Sequence, residues 1–308
     1  MISILLLTLN GGDRLREALA AIRAQEGAEP FEILAIDSGS TDQTLATLHA
    51  FADRIHTIPP VAFGHGRTRN LAARLAQGEW LVFLSQDAVP AGPRWLATLT
   101  QGLTEPGVAA VFGRQVPPPD VGPIETFFLN YTYPPHPFEQ SKLRRVQGGI
   151  GRIFFSNVNA AIRKAVLLEH PFPDDVIMSE DQAFGRAALE AGHIVRYEPE
   201  AAVQHGHRYS LSQLFRRNFD SGYSLREISG DPWRNVIALG AGYVRAEIIH
   251  LWRAGLALWI PYAVLYEVTK SAGFASGRLG HRLPLWLRRA LSLHRRHWDA
   301  VPTRSTAP

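Results

Sequence analysis

Residues 80–90 read WLVFLSQDAVP, an apolar run that stops on one carboxylate, Asp87. Such a run, closed by polar residues and Pro90, predicts a buried strand of a parallel sheet. Open α/β sheets bind their ligands just beyond the carboxyl ends of the strands. A carboxylate at that point can hold a hard divalent cation, and the cation can hold a diphosphate. An Asp at a strand end also caps turns, and the stretch taken alone leaves both roles open.

The residues upstream repeat the pattern. Strands are predicted over 2–7, 31–36 (ending at Asp37), 54–58 and 80–84, and helices over 13–25, 41–52 and 68–77. Asp13 reads as the N-cap of the first helix. This alternation predicts βαβ units around a parallel sheet. Downstream, a helix is expected over 94–103 and strands over 108–114, 157–162, 194–197 and 201–204. Further helices are expected over 164–168 and 181–191. Prolines 117–119, 123, 134, 135 and 137 predict a long irregular segment. From residue 209 onward helical patterns dominate.

Composition narrows the function classes. The 308 residues contain no cysteine, which excludes disulfides and thiolate metal sites. The opening ISILLLTLN has no basic flank or cleavage site and is too short to span a bilayer, so no signal peptide is expected. Residues 1–207 carry 17 Lys+Arg and 22 Asp+Glu, whereas residues 208–308 carry 15 and 6. A basic C-terminal third points to an anionic partner. No recognisable nucleic-acid module accompanies the charge, so nucleic acid is not the expected partner. Apolar residues at 248, 252, 256 and 259 form a helical stripe. The 13-residue uncharged stretch 254–266 is too short to span and fits a buried or interfacial helix. Arg278, Arg282, Arg288, Arg289, Arg295 and Arg296, interleaved with Trp286 and Trp298, suit an anionic membrane surface.

Several clusters can carry chemistry. Asp37 with the turn Ser38-Gly39-Ser40, beside Thr8 and Asn10, can hydrogen-bond a base or ribose edge. Asp42 reads as a helix cap. Glycines 64 and 66 would let a ligand approach the chain closely, and Arg69 could reach a phosphate. Glu180 and Asp181 open a helix, where the macrodipole favours acids. One of them could instead serve as a general base. His205 and His207 alternate on an extended segment, so both point to one side and either could ligate a metal. Arg216 and Arg217 could neutralise a departing diphosphate or form the basic face of a helix.

In this order, the stretches resemble the family 2 inverting glycosyltransferases, most closely the bacterial rhamnosyltransferase branch. The resemblance runs from residue 2 to about 223 and more weakly to 284. It rests on IDSGSTD (36–42), RNLAARLAQGEW (69–80), SQDA (85–88), SNVNAAIRK (156–164), SEDQAFGRAALEAG (179–192) and HGHRYSLSQLFRRNF (205–219). It implies an α/β GT-A fold, a Rossmann-like, mostly parallel sheet with flanking helices, over 1–209. A basic, helical, membrane-associating region would follow over 210–308. Thr8, Asn10, Asp37, Arg69, Asp87, Arg216 and Arg217 would bind the nucleotide sugar. Asp87 would hold Mg2+ or Mn2+. Asp181 would be the catalytic base with Glu180 beside it, and Asn157 and Asn159 would face the acceptor.

Two departures qualify the resemblance. Asp87-Ala88-Val89 lacks the second carboxylate of the family's DxD motif, and His205 or His207 is the candidate to complete the site. The QDA pattern is associated with rhamnosyl transfer. Gln213-Leu214-Phe215-Arg216 is followed by Arg217 rather than the Trp of the processive QxxRW motif, which implies single transfers. The implied function is inverting transfer of a sugar to a hydroxyl of a lipid-linked (polyprenyl diphosphate) or saccharide acceptor. The donor would be dTDP-rhamnose, or else a UDP- or GDP-sugar. The protein would be cytoplasmic, peripheral on the anionic inner leaflet. A catalytically inactive membrane-associated binding protein is the alternative.

Overall fold

The computed structural model describes residues 1–144, 153–229 and 233–299. Met1–Asp174 and Glu180–Arg208 form one compact unit. Asp175–Ser179 and the chain from Tyr209 form a second.

The strands of the first unit are β1 (Ile2–Thr8), β2 (Phe31–Asp37), β3 (Arg54–Thr57), β4 (Trp80–Ser85) and β5 (Val89–Pro90). They continue with β6 (Val108–Val116), β7 (Phe138–Gln140), β8 (Asn159–Arg163) and β9 (Ile194–Gln204). Among the described residues they make one sheet in the order β3-β2-β1-β4-β8-β6-β9-β5, with β7 also on β9. The first four strands are parallel, as their apolar runs predict. Successive residues serve opposite cores: Leu5, Leu34 and Phe83 face one, and Ile4, Ile33 and Val82 face the other. Burial on both faces is why these strands read as continuous apolar runs. Each such fully buried aliphatic side chain is worth about 1.5–3 kcal/mol.

β8 departs from the parallel pattern. It lies antiparallel to both β4 and β6, so this half of the sheet is mixed. The strands expected over 194–197 and 201–204 are two parts of β9. The register against β6 jumps from Gly113↔Glu198 to Gln115↔Val203, so the intervening residues bulge out. Gly113 makes this possible, because a Cβ there would collide with the Ala201 carbonyl.

The helices of this unit are α1 (Gly12–Arg23), α2 (Thr44–Phe51), α3 (His65–Leu75), α4 (Trp95–Gln101), α5 (Pro123–Thr132), α6 (Lys164–Glu169) and α7 (Glu180–Glu190). Three readings are corrected here. Asp13 lies inside the first turn of α1, whose N-cap is Gly11. α3 starts at His65, three residues before the helix expected from 68. The proline-rich segment holds α5, with Pro123 at its first turn, where a missing N–H costs nothing. Asp42 does act as a local cap, accepting the Thr44 N–H at 3.0 Å.

The second unit holds α8 (Leu211–Ser229), α9 (Trp233–Arg253), α10 (Ile260–Arg278) and α11 (Leu285–Leu291). α8 and α10 pack backbone to backbone. A Cβ on Gly222, Gly273 or Gly277 would strike a main-chain carbonyl of the facing helix. The stripe at 248–259 does not lie on one helix: α9 ends at Arg253 and Gly255 turns with φ +73°. Trp298 is buried with Ile177 and Phe219. Arg288 donates to the carbonyls of Leu283 and His281 and lies over the Tyr223 ring, while Arg289 pairs with Asp299. Arg288 and Trp298 thus serve internal packing, whereas Arg282, Trp286, Arg289, Arg295 and Arg296 are exposed. No described helix is long and apolar enough to cross a membrane.

Gly277→Ala is expected to cost about 1–3 kcal/mol through overpacking. Gly240→Ala on α9, where nothing lies within 4 Å of the added methyl, should leave the melting temperature unchanged or higher. Thermal denaturation of the two variants tests the close α8–α10 contact.

Candidate active site

The carboxyl ends of β1, β2 and β4 meet through side-chain bonds between their loops. The Thr8 hydroxyl donates to Asp37 at 3.1 Å, and Asp37 also accepts the N–H groups of Gly39 and Ser40 at 3.0 and 2.9 Å. Thr8 and Asp37 are both buried. Asn10 adopts a positive φ of 48°, and its side-chain oxygen accepts the Thr41 N–H at 2.9 Å. Gln86 brackets Leu9 from the other side, accepting its N–H at 2.9 Å and donating to its carbonyl at 3.1 Å. These bonds frame a cavity of about 190 Å³ lined by Thr8, Ser38, Arg69, Gln86, Asp87 and Asn157, among others.

Asp87 lies in the turn between β4 and β5. β5 pairs with the end of β9, Val89 opposite Gln204, and this brings His205 and His207 to Asp87. His205 Nε2 is 3.5 Å and His207 Nδ1 3.9 Å from its carboxylate oxygens. Burial opposes the charge on Asp87. The hydrogen bond from His205 and the charges of His205 and His207 overcome it and hold the carboxyl down at about 2. Among the described residues these three form a group whose ligand atoms all lie within 4.8 Å of one another.

The donor set fits a divalent cation. His205 Nδ1 is 2.8 Å from the side-chain oxygen of Gln115. In that arrangement the Gln115 amide nitrogen donates to the Tyr133 hydroxyl and to Ser156 Oγ. With Nδ1 donating to Gln115, loss of the Nε2 proton would leave that lone pair for a cation beside Asp87. This is the arrangement that orients a metal-binding imidazole. Gln115 was invisible as a functional residue in the sequence. The available signal was a polar side chain near the end of β6, whose first half is apolar.

A second charged group lies beside the cavity. Arg69 pairs with Glu180 at 2.9 Å. Burial alone would neutralise Glu180, but the charges of Arg69 and His65 hold its carboxyl below the usual range. Asp181 accepts the N–H groups of Asn157 at 3.2 Å and Gln182 at 2.8 Å. Burial and the adjacent Glu180 charge nevertheless push its carboxyl up to about 7. Asn157 is buried and lines the cavity. Its amide lies close enough to Glu180 to favour that carboxylate's charge, yet neither of its side-chain polar atoms makes a hydrogen bond of full geometry.

Two expectations change. Asn159 does not face an acceptor: it is fully buried, accepting the Trp95 indole N–H at 2.9 Å and donating to the Ala201 carbonyl at 2.7 Å. The close approach at Gly66 is to the Pro173 carbonyl, not to a ligand. Arg216 and Arg217 belong to α8 in the second unit, where the Arg217 guanidinium lies 5.6 Å from the Tyr209 ring centre.

The sequence profile described as "Glycosyl transferase family 2" matches residues 3–170. The chain belongs to glycosyltransferase family 2. It is 33% identical to the O-antigen chain rhamnosyltransferase RfbN of Salmonella typhimurium, over 97% of this chain and 96% of that protein. It is 32% identical, over the same shares, to the O-antigen chain rhamnosyltransferase WbaN of Salmonella anatum. Mannosyltransferase PcManGT from Pyrobaculum calidifontis, solved in complex with GDP-Man and Mn2+, matches with a TM-score of 0.64 at 19% identity. The match covers 91% of this chain and 87% of that one. The likeness shows a shared fold, the GT-A fold.

For this family 2 glycosyltransferase, Gln115→Leu should weaken Mn2+ binding by about 10–100-fold, because it frees the His205 ring. Calorimetric titration with Mn2+ reads the loss directly, and unchanged affinity would remove Gln115 from the site.

Proposed function

We propose that the enzyme transfers rhamnose, with inversion, from a nucleotide sugar to a hydroxyl of a growing cell-surface saccharide. The donor is taken to be dTDP-rhamnose and the acceptor to be lipid-linked. The near full-length similarity to two O-antigen rhamnosyltransferases supports the sugar and the setting. The observation that carries the chemistry is the split carboxylate pair, Glu180 held ionised by Arg69 and Asp181 raised to about 7. Paired groups with diverging pKa values are how a site assigns its acid and base.

The proposed steps are those of a single displacement. Asp181 takes the proton of the acceptor hydroxyl as its oxygen bonds to the anomeric carbon. The bond from that carbon to the diphosphate oxygen breaks, and the diphosphate leaves with the electron pair. Attack on the face opposite the leaving group inverts the centre. Thr8, Asn10, Asp37 and the Gln86-braced loop are assigned to the nucleotide. Asp87, His205 and His207 would hold Mg2+ or Mn2+, which when bound supplies positive charge against the diphosphate. Arg216 and Arg217 are assigned to the diphosphate on the family resemblance. Asn157, whose side chain lines the cavity, is assigned to a sugar hydroxyl. The setting proposed for the reaction is the inner face of the cell membrane.

A base of pKa about 7 is protonated, and idle, at lower pH. Transfer from dTDP-rhamnose should therefore rise with pH through about 7. Asp181→Asn should lose about 10²–10⁴-fold in turnover while keeping its circular dichroism spectrum. A rate that does not change between pH 5 and 8, or full turnover in that variant, would remove Asp181 from this role.

A further inference from the structure

The second unit carries an apolar surface that its own packing leaves uncovered. The segment 235–244 of α9 has no charged side chain. Residues 237–242 are exposed without interruption, around the whole helix circumference. Ile237 is 65% exposed, and a Cβ added to Gly240 or Gly242 would meet nothing within 4 Å. A helix that is apolar and exposed all round needs a covering phase. The turn from α9 into α10 continues the surface, with Trp252 70% and Leu258 96% exposed. Trp259 and Tyr262 are exposed there as well, their rings 6.3 Å apart and edge-on.

Charge decides between the possible coverings. Between residues 233 and 298 the chain has only two carboxylates, Glu247 and Glu267, and both are buried. Glu267 is paired inward with Lys270 at 3.0 Å. Arg245 and Arg253 are exposed on α9. Every formal charge on the outside of this stretch is therefore positive. A second copy of the chain would set this basic surface against itself at a two-fold interface. An anionic bilayer supplies both an apolar phase for the Trp, Leu and Tyr side chains and phosphates for the arginines. No described helix can cross it, so the helices would lie in the headgroup region.

We propose that α9 and the turn into α10 form an interfacial anchor for an anionic membrane. Trp252, Leu258, Trp259 and Tyr262 enter the headgroup layer, and Arg245 and Arg253 meet lipid phosphates. The anchor centres the contact on α9 and its turn, not on the stretch 278–298, where Trp286, Arg295 and Arg296 are also exposed. It takes from the proposed function only a working place at a membrane.

The test uses the full chain with vesicles of phosphatidylethanolamine and phosphatidylglycerol, and with phosphatidylcholine vesicles as the neutral control. Flotation should show binding to the anionic vesicles only, with a blue shift of tryptophan emission. Trp252→Glu combined with Leu258→Glu should reduce binding by about tenfold or more. Arg295→Glu combined with Arg296→Glu should change it little. Mn2+ binding, read without vesicles, should be the same in all variants, so a failed anchor and a failed active site give different results. Equal binding to neutral vesicles, no binding at all, or loss of binding only in the Arg295/Arg296 variant would overturn the anchor. So would a dimer in light scattering that the Trp252/Leu258 substitutions dissolve.

Discussion

Two adjacent carboxylates in an enclosed site cannot both stay charged, and the 2.9 Å pair between Arg69 and Glu180 decides which one does. Arg69 sits on α3 and Glu180 begins α7, so the pair joins segments far apart in the chain. Glu180 keeps its charge, and that charge helps raise Asp181 to about 7. The same proximity that looks costly for folding gives Asp181 the proton affinity a general base needs near neutral pH. Asn157 ties this pair to the cavity: its N–H donates to Asp181 and its side chain lines the space beside Asp87.

The sheet supplies the second half of the site by an indirect route. Asp87 follows β4, whereas His205 and His207 follow β9, at the far side of β8 and β6 in the strand order. The two-residue strand β5 closes the gap by pairing with the end of β9. The bulge of β9 opposite Gly113 sets Val203 against Gln115, and this places Gln115 next to His205. An imidazole held by Gln115 thus stands beside Asp87. With a cation bound, the donor set would be one carboxylate and two neutral rings instead of two carboxylates.

Much of this was legible in the sequence, and the unread parts share a physical cause. The parallel strands were legible because burial on both faces leaves uninterrupted apolar runs such as 2–7 and 80–84. The strand β8 was recognisable, but not its direction, since NAAIR carries no periodicity that separates parallel from antiparallel. α5 was hidden by prolines that are harmless at a first turn. Asp87, His205, His207 and Asp181 could be named because their side chains are unusual at strand and helix ends. Gln115 and the burial of Asn159 could not, because both depend on which strands become neighbours. In the helical region, charge and aromatic content do not tell which side chains pack inward. Trp298 and Arg288 turn inward, while Trp252, Leu258 and Trp286 face outward.

The proposed mechanism depends on Asp87, His205 and His207 acting together as one cation site beside the cavity lined by Thr8 and Arg69. Crystals grown with Mn2+ and a nucleoside diphosphate, measured at the manganese absorption edge, locate the ion directly. An anomalous peak bonded to Asp87 and to at least one of the two imidazoles, with diphosphate oxygens completing its shell, is the predicted result. A peak held by the diphosphate and Asp87 alone, or one bound elsewhere in the chain, would contradict it.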